Sequence, residues 1–192
     1  SSNNNVVSGN NVSENWNDGI RLWYSSNNNV VSGNNVLGNG RYGIYLYDSI
    51  NNTVSGNNVS ENWDGICLWF SSNNVVSGNN ISGNWNNGIY LGDSNNNNVV
   101  SGNNVLGNGR YGIYLYYYSS NNVIYLNNFI NNFDNVYSGG STNIWNSTSQ
   151  MTYTYKGQTH TNYMGNYWSD YTGSDEDGDG IGDTPYAIDG DA

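Results

Sequence analysis

An acidic segment near the end of the chain has the residue types and the spacing of a calcium-binding loop. Aspartates take positions 1, 3, 5 and 9 of an EF-hand-like loop, and Gly180 takes position 6, where the sharp turn falls. Position 12 is Tyr186 in place of the usual bidentate Glu, and Asp189 follows closely enough to replace it. We therefore expect a structural Ca²⁺ site, with a solvated acidic tail as the alternative. The predicted ligands are Asp175, Asp177, Asp179, the carbonyl of Ile181, Asp183 and Asp189.

Two pairs of carboxylates recur at fixed places in the chain. Asp18 and Asp64 each precede a Gly-Ile dipeptide, and Asp48 and Asp93 each stand two residues after a leucine. In a stack of β-coils each pair would be two coils, or roughly 9.6 Å, apart, near the upper end of the carboxylate separation in inverting glycosidases. However, no His or Lys accompanies either pair, and Asp before Gly is common in turns. Polysaccharide cleavage is therefore the third hypothesis.

Aromatic residues recur between and after the Ile and Leu of successive Gly-Ile-X-Leu segments. If Ile and Leu point inward, the alternation of a strand turns these rings outward, where they would stack as an exposed strip. Subunit packing and glycan binding are competing functions for such a strip, and simple ring stacking is the alternative to both. The strip consists of Trp23, Tyr45, Tyr47, Trp69, Tyr90, Tyr114 and Tyr116.

The charge balance excludes several classes of partner. Four Lys+Arg against fifteen Asp+Glu give a net charge of −11 and a pI of about 4.1, so we expect no nucleic acid and no anionic membrane surface. No apolar run is long enough for a membrane-spanning helix, and no membrane insertion is expected. Cys67 is the single cysteine, which excludes a disulfide within the chain and a cysteine-based metal cluster.

A repeat of 22–24 residues occupies most of the chain. Short alternations such as Ile44-Tyr45-Leu46, separated by clusters of Asn, Gly and Ser, indicate strands and turns without helices. Six copies predict an all-β fold, a single-stranded right-handed parallel β-helix of about six coils over residues 1–141. The motif Val-Ser-Gly-Asn-Asn begins at Val7, Val31, Val54, Val76 and Val100, with a degraded copy from Ile124.

Asparagine, the most abundant residue, recurs in register with these valines. An amide side chain can hydrogen-bond to the same amide one coil away, and such ladders satisfy buried polar groups. We expect these asparagines to take the left-handed conformation at the corners of the coils. One predicted ladder contains Asn10, Asn34, Asn57, Asn79, Asn103 and Asn127, and the other contains Asn15, Asn39, Asn62, Asn84, Asn108 and Asn132.

Residues 142–192 leave the repeat and form the second predicted unit. Residues 151–163 have the pattern of a β-hairpin that turns at Lys156-Gly157, and His160 alternates with Thr in it as a strand-surface residue. We expect this hairpin and the acidic loop to cover the last coil or to dock on a neighbouring molecule. At the other end the first coil has no capping helix, so its open edge invites pairing with a second copy and growth of a homopolymer.

Five Asn-X-Ser/Thr sequons make the chain a candidate glycoprotein. Three of them precede an inward-pointing Val or Ile, so their own side chains should face solvent. The candidate acceptors are Asn11, Asn51, Asn58, Asn80 and Asn146.

The repeat motif, as in Val100 to Val105 with Gly112 to Leu115, resembles the NosD-type right-handed β-helix repeats of archaeal extracellular and surface-layer proteins. The segment from Gly165 to Tyr171, followed by Asp175 to Tyr186, looks like the closing motif of those proteins. The resemblance implies the β-helix and an extracellular or cell-surface location. It does not transfer the copper role of the namesake, because copper requires Cys, Met or His ligands, which here are few and scattered.

The leading functional hypothesis is therefore a non-catalytic structural protein of an archaeal cell envelope that assembles into a sheath, filament or surface layer. The open coil edge, the aromatic strip and the scarcity of catalytic groups favour it. The alternative is a carbohydrate-binding module of a larger surface protein, and the third hypothesis is a polysaccharide hydrolase or lyase that uses Asp18/Asp64 or Asp48/Asp93.

Overall fold

The computed structural model describes residues 1–188, and within that range the chain forms strands and turns but no helix. It confirms a parallel β-helix of about six coils, each with three strands. No helix in this range is long and apolar enough to cross a membrane. The strands are β1 (Val6–Ser8), β2 (Asn11–Ser13), β3 (Ile20–Trp23), β4 (Val30–Ser32), β5 (Asn35–Leu37), β6 (Tyr42–Tyr47), β7 (Thr53–Ser55), β8 (Asn58–Ser60), β9 (Asp64–Trp69), β10 (Val75–Ser77), β11 (Asn80–Ser82), β12 (Ile89–Gly92), β13 (Val99–Ser101), β14 (Asn104–Leu106), β15 (Tyr111–Tyr116), β16 (Val123–Tyr125), β17 (Asn128–Ile130), β18 (Asp134–Gly139), β19 (Met151–Tyr155), β20 (Gln158–Asn162) and β21 (Tyr167–Trp168).

The first, second and third strands of successive coils stack into three parallel sheets, here called A, B and C. Sheet A runs from β1 to β16, sheet B from β2 to β17, and sheet C from β3 to β18. Equivalent repeat residues are paired throughout; for example, Val31 pairs with Val54 in sheet A and Ile89 with Ile113 in sheet C. This register stacks identical side chains along the axis.

The interior is a column of aliphatic side chains contributed by all three sheets. The central residue of each sheet A and sheet B strand points inward, as do the Ile and Leu of sheet C, and from the second coil to the fifth these side chains are fully buried. Burying a side chain of this kind contributes about 1.5–3 kcal/mol. The two-residue period of the sequence therefore determines which side chains of each strand point into the coil.

Buried asparagine ladders occupy the corners, as predicted. Along the first ladder the Nδ2 of each asparagine donates to the Oδ1 of the next at 2.8–2.9 Å, from Asn10 to Asn127. The second ladder has the same bonds at 2.8–3.1 Å from Asn15 to Asn132. A third ladder, which the sequence analysis missed, precedes sheet A and consists of Asn5, Asn29, Asn52, Asn74, Asn98, Asn122 and Asn143.

The expectation that the ladder asparagines themselves are left-handed is wrong. The positive φ falls on the residue directly before each of them, such as Gly33 before Asn34 (φ 62°) and Asn28 before Asn29 (φ 57°). This left-handed residue turns the chain, so the next side chain points into the coil. Before the first ladder the left-handed residue is Gly in every coil but one, where it is Leu126; before the second it is Gly, Glu or Asn, and before the third it is Asn. A local turn of this kind is least costly for Gly and Asn.

The glycine of each Gly-Ile dipeptide has a packing role. A Cβ on Gly88 would lie 2.5 Å from Cγ1 of Val105 and 2.7 Å from the carbonyl oxygen of Gly112 in the next coil. Sheet C can therefore approach the second asparagine ladder only where a side chain is missing. This close approach explains why the Gly-Ile dipeptide recurs at one position of the repeat.

The last coil is covered by residues that follow the repeat. Strand β21 pairs with β17 and extends sheet B, and Asn166 accepts a hydrogen bond from Asn127 at 2.9 Å, which continues the first ladder. Trp168 stacks on Phe129 with ring centroids 4.7 Å apart. Strands β19 and β20 form the predicted hairpin, with positive φ at Lys156 and Gly157.

Removing one ladder amide should destabilise the fold strongly. Asn79 is 1% exposed, donates to the carbonyl of Val54 and to Asn103, and accepts from the backbone and side chain of Asn57. Asn79→Ala leaves these groups buried without partners, so we expect a loss of about 3 kcal/mol or more. Chemical denaturation measures it.

The neighbouring Asn80 is the control for this prediction. Its side chain is exposed and donates only to Asn58, so Asn80→Ala should change stability by about 0.5 kcal/mol or less. Equal losses for the two variants would contradict the role assigned to the buried ladder.

Candidate functional site

The aromatic residues predicted for the strip lie on the outer surface of sheet C, here called the aromatic face. They form a second packed layer outside the coil, in which Tyr42, Tyr45 and Cys67 are buried against neighbouring rings. Trp23 stacks on Tyr47 at 4.4 Å, and Tyr90 stacks on Tyr114 at 5.2 Å. Side chains of neighbouring coils therefore pack together on both faces of sheet C, the aliphatic ones inside the coil and the aromatic ones outside it.

Exposure varies along the aromatic face. Tyr45 is only 3% exposed, so it supports its neighbours and offers no ring face to a ligand, whereas Tyr116 is 37% exposed. Trp23, Tyr47, Trp69, Tyr90 and Tyr114 are half-buried. The accessible part of the face is thus a set of partly covered rings above a buried layer.

All three arginines of the chain lie on or beside the aromatic face. The Cζ atom of Arg21 is 3.3 Å from the ring centroid of Trp23, that of Arg41 is 4.4 Å from Tyr42, and that of Arg110 is 4.9 Å from Tyr111. Cations over aromatic rings are attracted by the negative face of the ring. In a chain of net charge −11, these guanidinium groups offset part of the negative charge of Asp18 and Asp64 on the same face.

The carboxylates Asp18 and Asp64 share one register row on this face, with Tyr42 between them. The backbone N–H of Tyr42 donates to Asp18 at 3.4 Å, and Tyr42 pairs with Asp64. Asp18 forms an ion pair with Arg21 at 3.5 Å. Asp64 is 3% exposed and accepts three hydrogen bonds from Asn86 and Asn87 at 2.8–2.9 Å.

Burial changes the acidity of this row. Desolvation raises the pKa of Asp64, and the hydrogen bonds from Asn87 and Asn86 and the charge of Arg110 oppose part of that rise. Desolvation also raises the pKa of Tyr42 to about 12, although the guanidinium of Arg41 donates to its hydroxyl oxygen at 3.1 Å. Burial raises the pKa of the Cys67 thiol well above its usual value, so Cys67 is a neutral packing group.

The second carboxylate pair lies at the turn after sheet C. Asp48 and Asp93 have positive φ values of 47° and 32°, and Phe70 stands between them in the stack. Aspartate tolerates this conformation better than most residues. The two side chains therefore occupy turn positions.

Four exposed rings that were not predicted form a row at the corner between sheets B and C, here called the corner row. It consists of Trp16, Trp63, Trp85 and Phe133. Each ring directly follows an asparagine of the second ladder, and that fixed position is the signal that could have revealed the row.

The structure brings only part of the predicted calcium loop together. The carboxylates of Asp175, Asp177 and Asp183 lie within 4.8 Å of one another, and Asp175 Oδ2 accepts a hydrogen bond from the N–H of Gly180 at 3.1 Å. The carboxylate of Asp179 instead binds the N–H of Ile181 and the amide of Asn162.

The bond from the Ile181 N–H is the main cause of the lowered pKa of Asp179. Asp189 lies outside the described residues. The predicted set is therefore reduced to three clustered carboxylates, with Asp179 serving to join the loop to the hairpin.

The five sequon asparagines lie on the surface. Asn11, Asn51, Asn58, Asn80 and Asn146 are all exposed. The amide of Asn58 donates to Asn35 and that of Asn80 donates to Asn58, so a glycan on either would replace an inter-coil hydrogen bond. Glycosylation and self-association remain predictions.

Copper ligands do not come together in the structure. Cys67 is buried on sheet C, while His160 lies in β20, where it pairs with Tyr153. Within residues 1–188, the cluster of three or more His, Cys, Asp or Glu side chains close enough to hold a metal is the all-carboxylate one in the acidic loop. Carboxylates suit Ca²⁺ or Mg²⁺, and copper prefers Cys, Met or His.

Comparison with known proteins identifies the family of this parallel β-helix. Residues 1–173 match the model of a family described as "Periplasmic copper-binding protein (NosD)", and the chain belongs to that family. The resemblance stated from the repeat is therefore confirmed. The copper in the family's description does not fit the ligands present here. No curated protein sequence matches the chain.

Solved structures with the same fold include enzymes that act on carbohydrate. A variant of the periplasmic alginate epimerase AlgG is 29% identical with a TM-score of 0.62, and the match covers 72% of this chain and 32% of that one. The A-module of the Azotobacter vinelandii mannuronan C-5 epimerase AlgE6 is 17% identical with a TM-score of 0.53, over 73% and 53%. The enzymatically active domain of tailspike protein 2 from bacteriophage CBA120 is 19% identical with a TM-score of 0.55, over 77% and 25%.

These neighbours overturn one expectation from the sequence. We expected no enzymatic activity, and that prediction is wrong because the solved AlgG and AlgE6 structures that share the fold are carbohydrate-processing enzymes. The scarcity of His and Lys in the repeats was a poor guide, since Asp, Tyr and Arg also transfer or stabilise charge. The chain spans less than two thirds of the length of each of these neighbours.

The raised pKa of Tyr42 predicts a loss of stability in alkali. Its value is about 12 in the folded protein against 10.0 for the ordinary side chain, so the folded state holds this proton more tightly than the unfolded state. The stabilisation is complete below pH 10 and is lost as the pH rises toward 12. Urea unfolding at a series of pH values should show this decline.

Tyr42→Phe removes the titrating hydroxyl and should make the decline between pH 10 and pH 12 shallower. Tyr163→Phe, at an exposed site away from the aromatic face, is the control and should follow the parent protein. Identical pH profiles for Tyr42→Phe and the parent would contradict the assignment.

Proposed function

We propose that this chain is a carbohydrate-acting β-solenoid that holds a polysaccharide along the aromatic face and processes it there. The single observation that carries the proposal is the row Asp18, Tyr42 and Asp64, flanked by all three arginines and by stacked rings on one face of sheet C. The likeness in fold to polysaccharide epimerases and a tailspike enzyme supports it.

Binding would use the partly exposed rings of the aromatic face. A pyranose ring has an apolar face of C–H groups and a polar rim, so it suits half-exposed Trp and Tyr rings bordered by amides. Trp69 and Tyr90 contact each other at 5.7 Å in adjacent coils. Because such contacts recur along the axis, a long polymer gains more of them than a single sugar.

The proton-transfer groups in this proposal are Asp64 and Asp18. Burial favours the protonated form of Asp64, whereas Asp18 is paired with Arg21. Two carboxyl groups in unlike environments suit the roles of acid and base, and their separation of two coils, about 9.6 Å, is close to that of inverting glycosidases. Arg21 contacts Asp18 and Asn86 donates to Asp64, and a bound sugar would replace these two partners.

The proposed location is the periplasm or the extracellular space. The family is described as periplasmic, and AlgG is a periplasmic epimerase. An envelope surface is where a protein with these groups meets polysaccharide. The assembling sheath or filament expected from the sequence stays a prediction.

Replacing Asp64 should abolish processing without unfolding the protein. The purified chain is incubated with acidic and neutral polysaccharides, and reducing ends, unsaturated uronate and uronate configuration are measured to detect hydrolysis, elimination and epimerisation. We expect Asp64→Asn to lower the turnover about 100-fold or more, since that is the typical contribution of a positioned acid or base.

Glu61→Gln is the matched control for Asp64→Asn, because Glu61 is an exposed carboxylate three residues away. It should leave turnover unchanged. Full activity of Asp64→Asn would overturn its assigned role, and a parent protein that alters none of the polysaccharides would overturn the enzymatic proposal.

We also propose that Ca²⁺ binds the acidic loop and holds it against the hairpin. Asp175, Asp177 and Asp183 supply three clustered carboxylates, and Asp175 Oδ1 is buried without a hydrogen-bond partner among the described residues. A hard cation with several oxygen ligands fits such a donor set. Its binding would be structural, because Gly180 lies directly against the ring of Tyr155 in the hairpin.

Calcium should therefore raise the melting temperature of the protein. Saturation at about 100 times the dissociation constant corresponds to about 2.7 kcal/mol, which calorimetry with Ca²⁺ and with a chelator can measure. Asp177→Asn should weaken the effect. Glu176→Gln, whose carboxylate lies outside the cluster, should keep it. Equal melting temperatures with Ca²⁺ and with chelator would contradict the proposed site.

A further inference from the structure

The corner row stands out as the most exposed aromatic surface of the solenoid. Trp16 is 97% exposed, Phe133 79%, Trp85 74% and Trp63 53%. None of the four rings contacts another aromatic ring among the described residues. They do not cover the aliphatic core, and their recurrence at one corner position distinguishes them from surface rings scattered singly.

Two gaps interrupt the row in a regular way. The coil between Trp16 and Trp63 has Gly40 at this position, and the coil between Trp85 and Phe133 has Gly109. A Cβ on Gly40 would lie 2.5 Å from the carbonyl oxygen of Trp16, and one on Gly109 would meet the carbonyl of Trp85. The close approach of the preceding coil therefore forbids a side chain there.

Each gap has an aromatic ring on both sides along the axis, and an arginine directly follows it in the chain. The two rings of a gap stand two coils apart, about 9.6 Å along the axis. Gly40 is followed by Arg41 and Gly109 by Arg110, both exposed. The guanidinium groups lie over Tyr42 and Tyr111, so each arginine reaches from its gap to the aromatic face.

The chemistry around the row indicates its ligand. The rings stand singly among amide, hydroxyl and carboxylate side chains, and Asp64 and Asp134 directly follow two of them. A protein partner instead needs a contiguous apolar area. A polymer of pyranose rings offers alternating apolar faces and hydroxyls that match rings and amides. Arginine is the residue best suited to pair with carboxylates, and two of the chain's four basic side chains flank the gaps.

We propose that the corner row binds a linear polysaccharide that carries acidic groups. Its sugar rings lie against Trp16, Trp63, Trp85 and Phe133, and its acidic groups pair with Arg41 and Arg110 at the two gaps. This inference rests on the proposed function and deepens it, because it defines the charge of the ligand and gives it a track next to the aromatic face.

The test compares binding of polygalacturonate with binding of its fully methyl-esterified form by affinity electrophoresis and calorimetry. Trp63→Ala with Trp85→Ala should weaken binding of both forms, by about tenfold per ring. Arg110→Gln should weaken polygalacturonate about tenfold and leave the ester unchanged, because only the acidic form has a carboxylate to lose. Tyr163→Ala, an exposed ring outside the row, is the control and should bind like the parent.

Each of the other possible outcomes overturns either the corner-row inference or the proposed function. If the parent binds neither form but processes a neutral polysaccharide, the inference is wrong and the proposed function stands. If the parent binds and the tryptophan variants bind equally well, the corner row is not the track. If those variants keep the parent's affinity but lose self-association in sedimentation, the row is a contact between copies. If the parent neither binds nor processes any polysaccharide, both proposals fail.

Discussion

The structure depends on asparagine side chains that hydrogen-bond to one another from one coil to the next. Each coil turns sharply at its corners, and at each corner a backbone segment must enter the interior, where unpaired polar groups are costly. The ladder asparagines satisfy these groups; Asn103, for example, is fully buried, donates to the carbonyl of Val76 and accepts from Asn79. Because every amide serves the coil on each side, the ladder also holds the register of all three sheets.

That register creates the functional surface. Once coils stack without slipping, residues 22–24 positions apart in sequence become neighbours, and outward side chains form rows along the axis. The aromatic face, the row of Asp18, Tyr42 and Asp64, and the corner row are three such rows on adjacent parts of the surface. The scaffold is uniform, and the differences between coils lie in residues that the core does not constrain.

The end of the solenoid is held by the same kinds of contact, made by residues that follow the repeat. Asn166 continues the first ladder, and Trp168 takes the place of the next inward aliphatic residue by stacking on Phe129. Tyr186 stacks on Trp168 in turn at 4.5 Å. This stacking holds the acidic segment against the last coil. Carboxylates that repel one another therefore lie close to the aromatic rings that cap the solenoid.

Much of the fold could be predicted from the sequence because its causes are local and repeated. The two-residue period of Ile44 and Leu46, the Gly-Ile anchors and the spacing of the asparagines together determine one coil, and repetition determines the stack. The hairpin turn at Lys156-Gly157 is equally local. The left-handed residue at each corner was misassigned because Gly33 and Asn34 are adjacent and either residue tolerates a turn.

Residue type and period alone specify the β-helix, its interior and the two predicted asparagine ladders. Which outward groups meet depends on how the coils stack. Coils of unequal length place Trp63 next to Asp64 but Trp16 two residues before Asp18, and only stacking shows that Tyr45 is covered while Trp16 is open to solvent. Burial on the outer surface depends on the side chains of neighbouring coils, and the period of a single repeat contains no information about them.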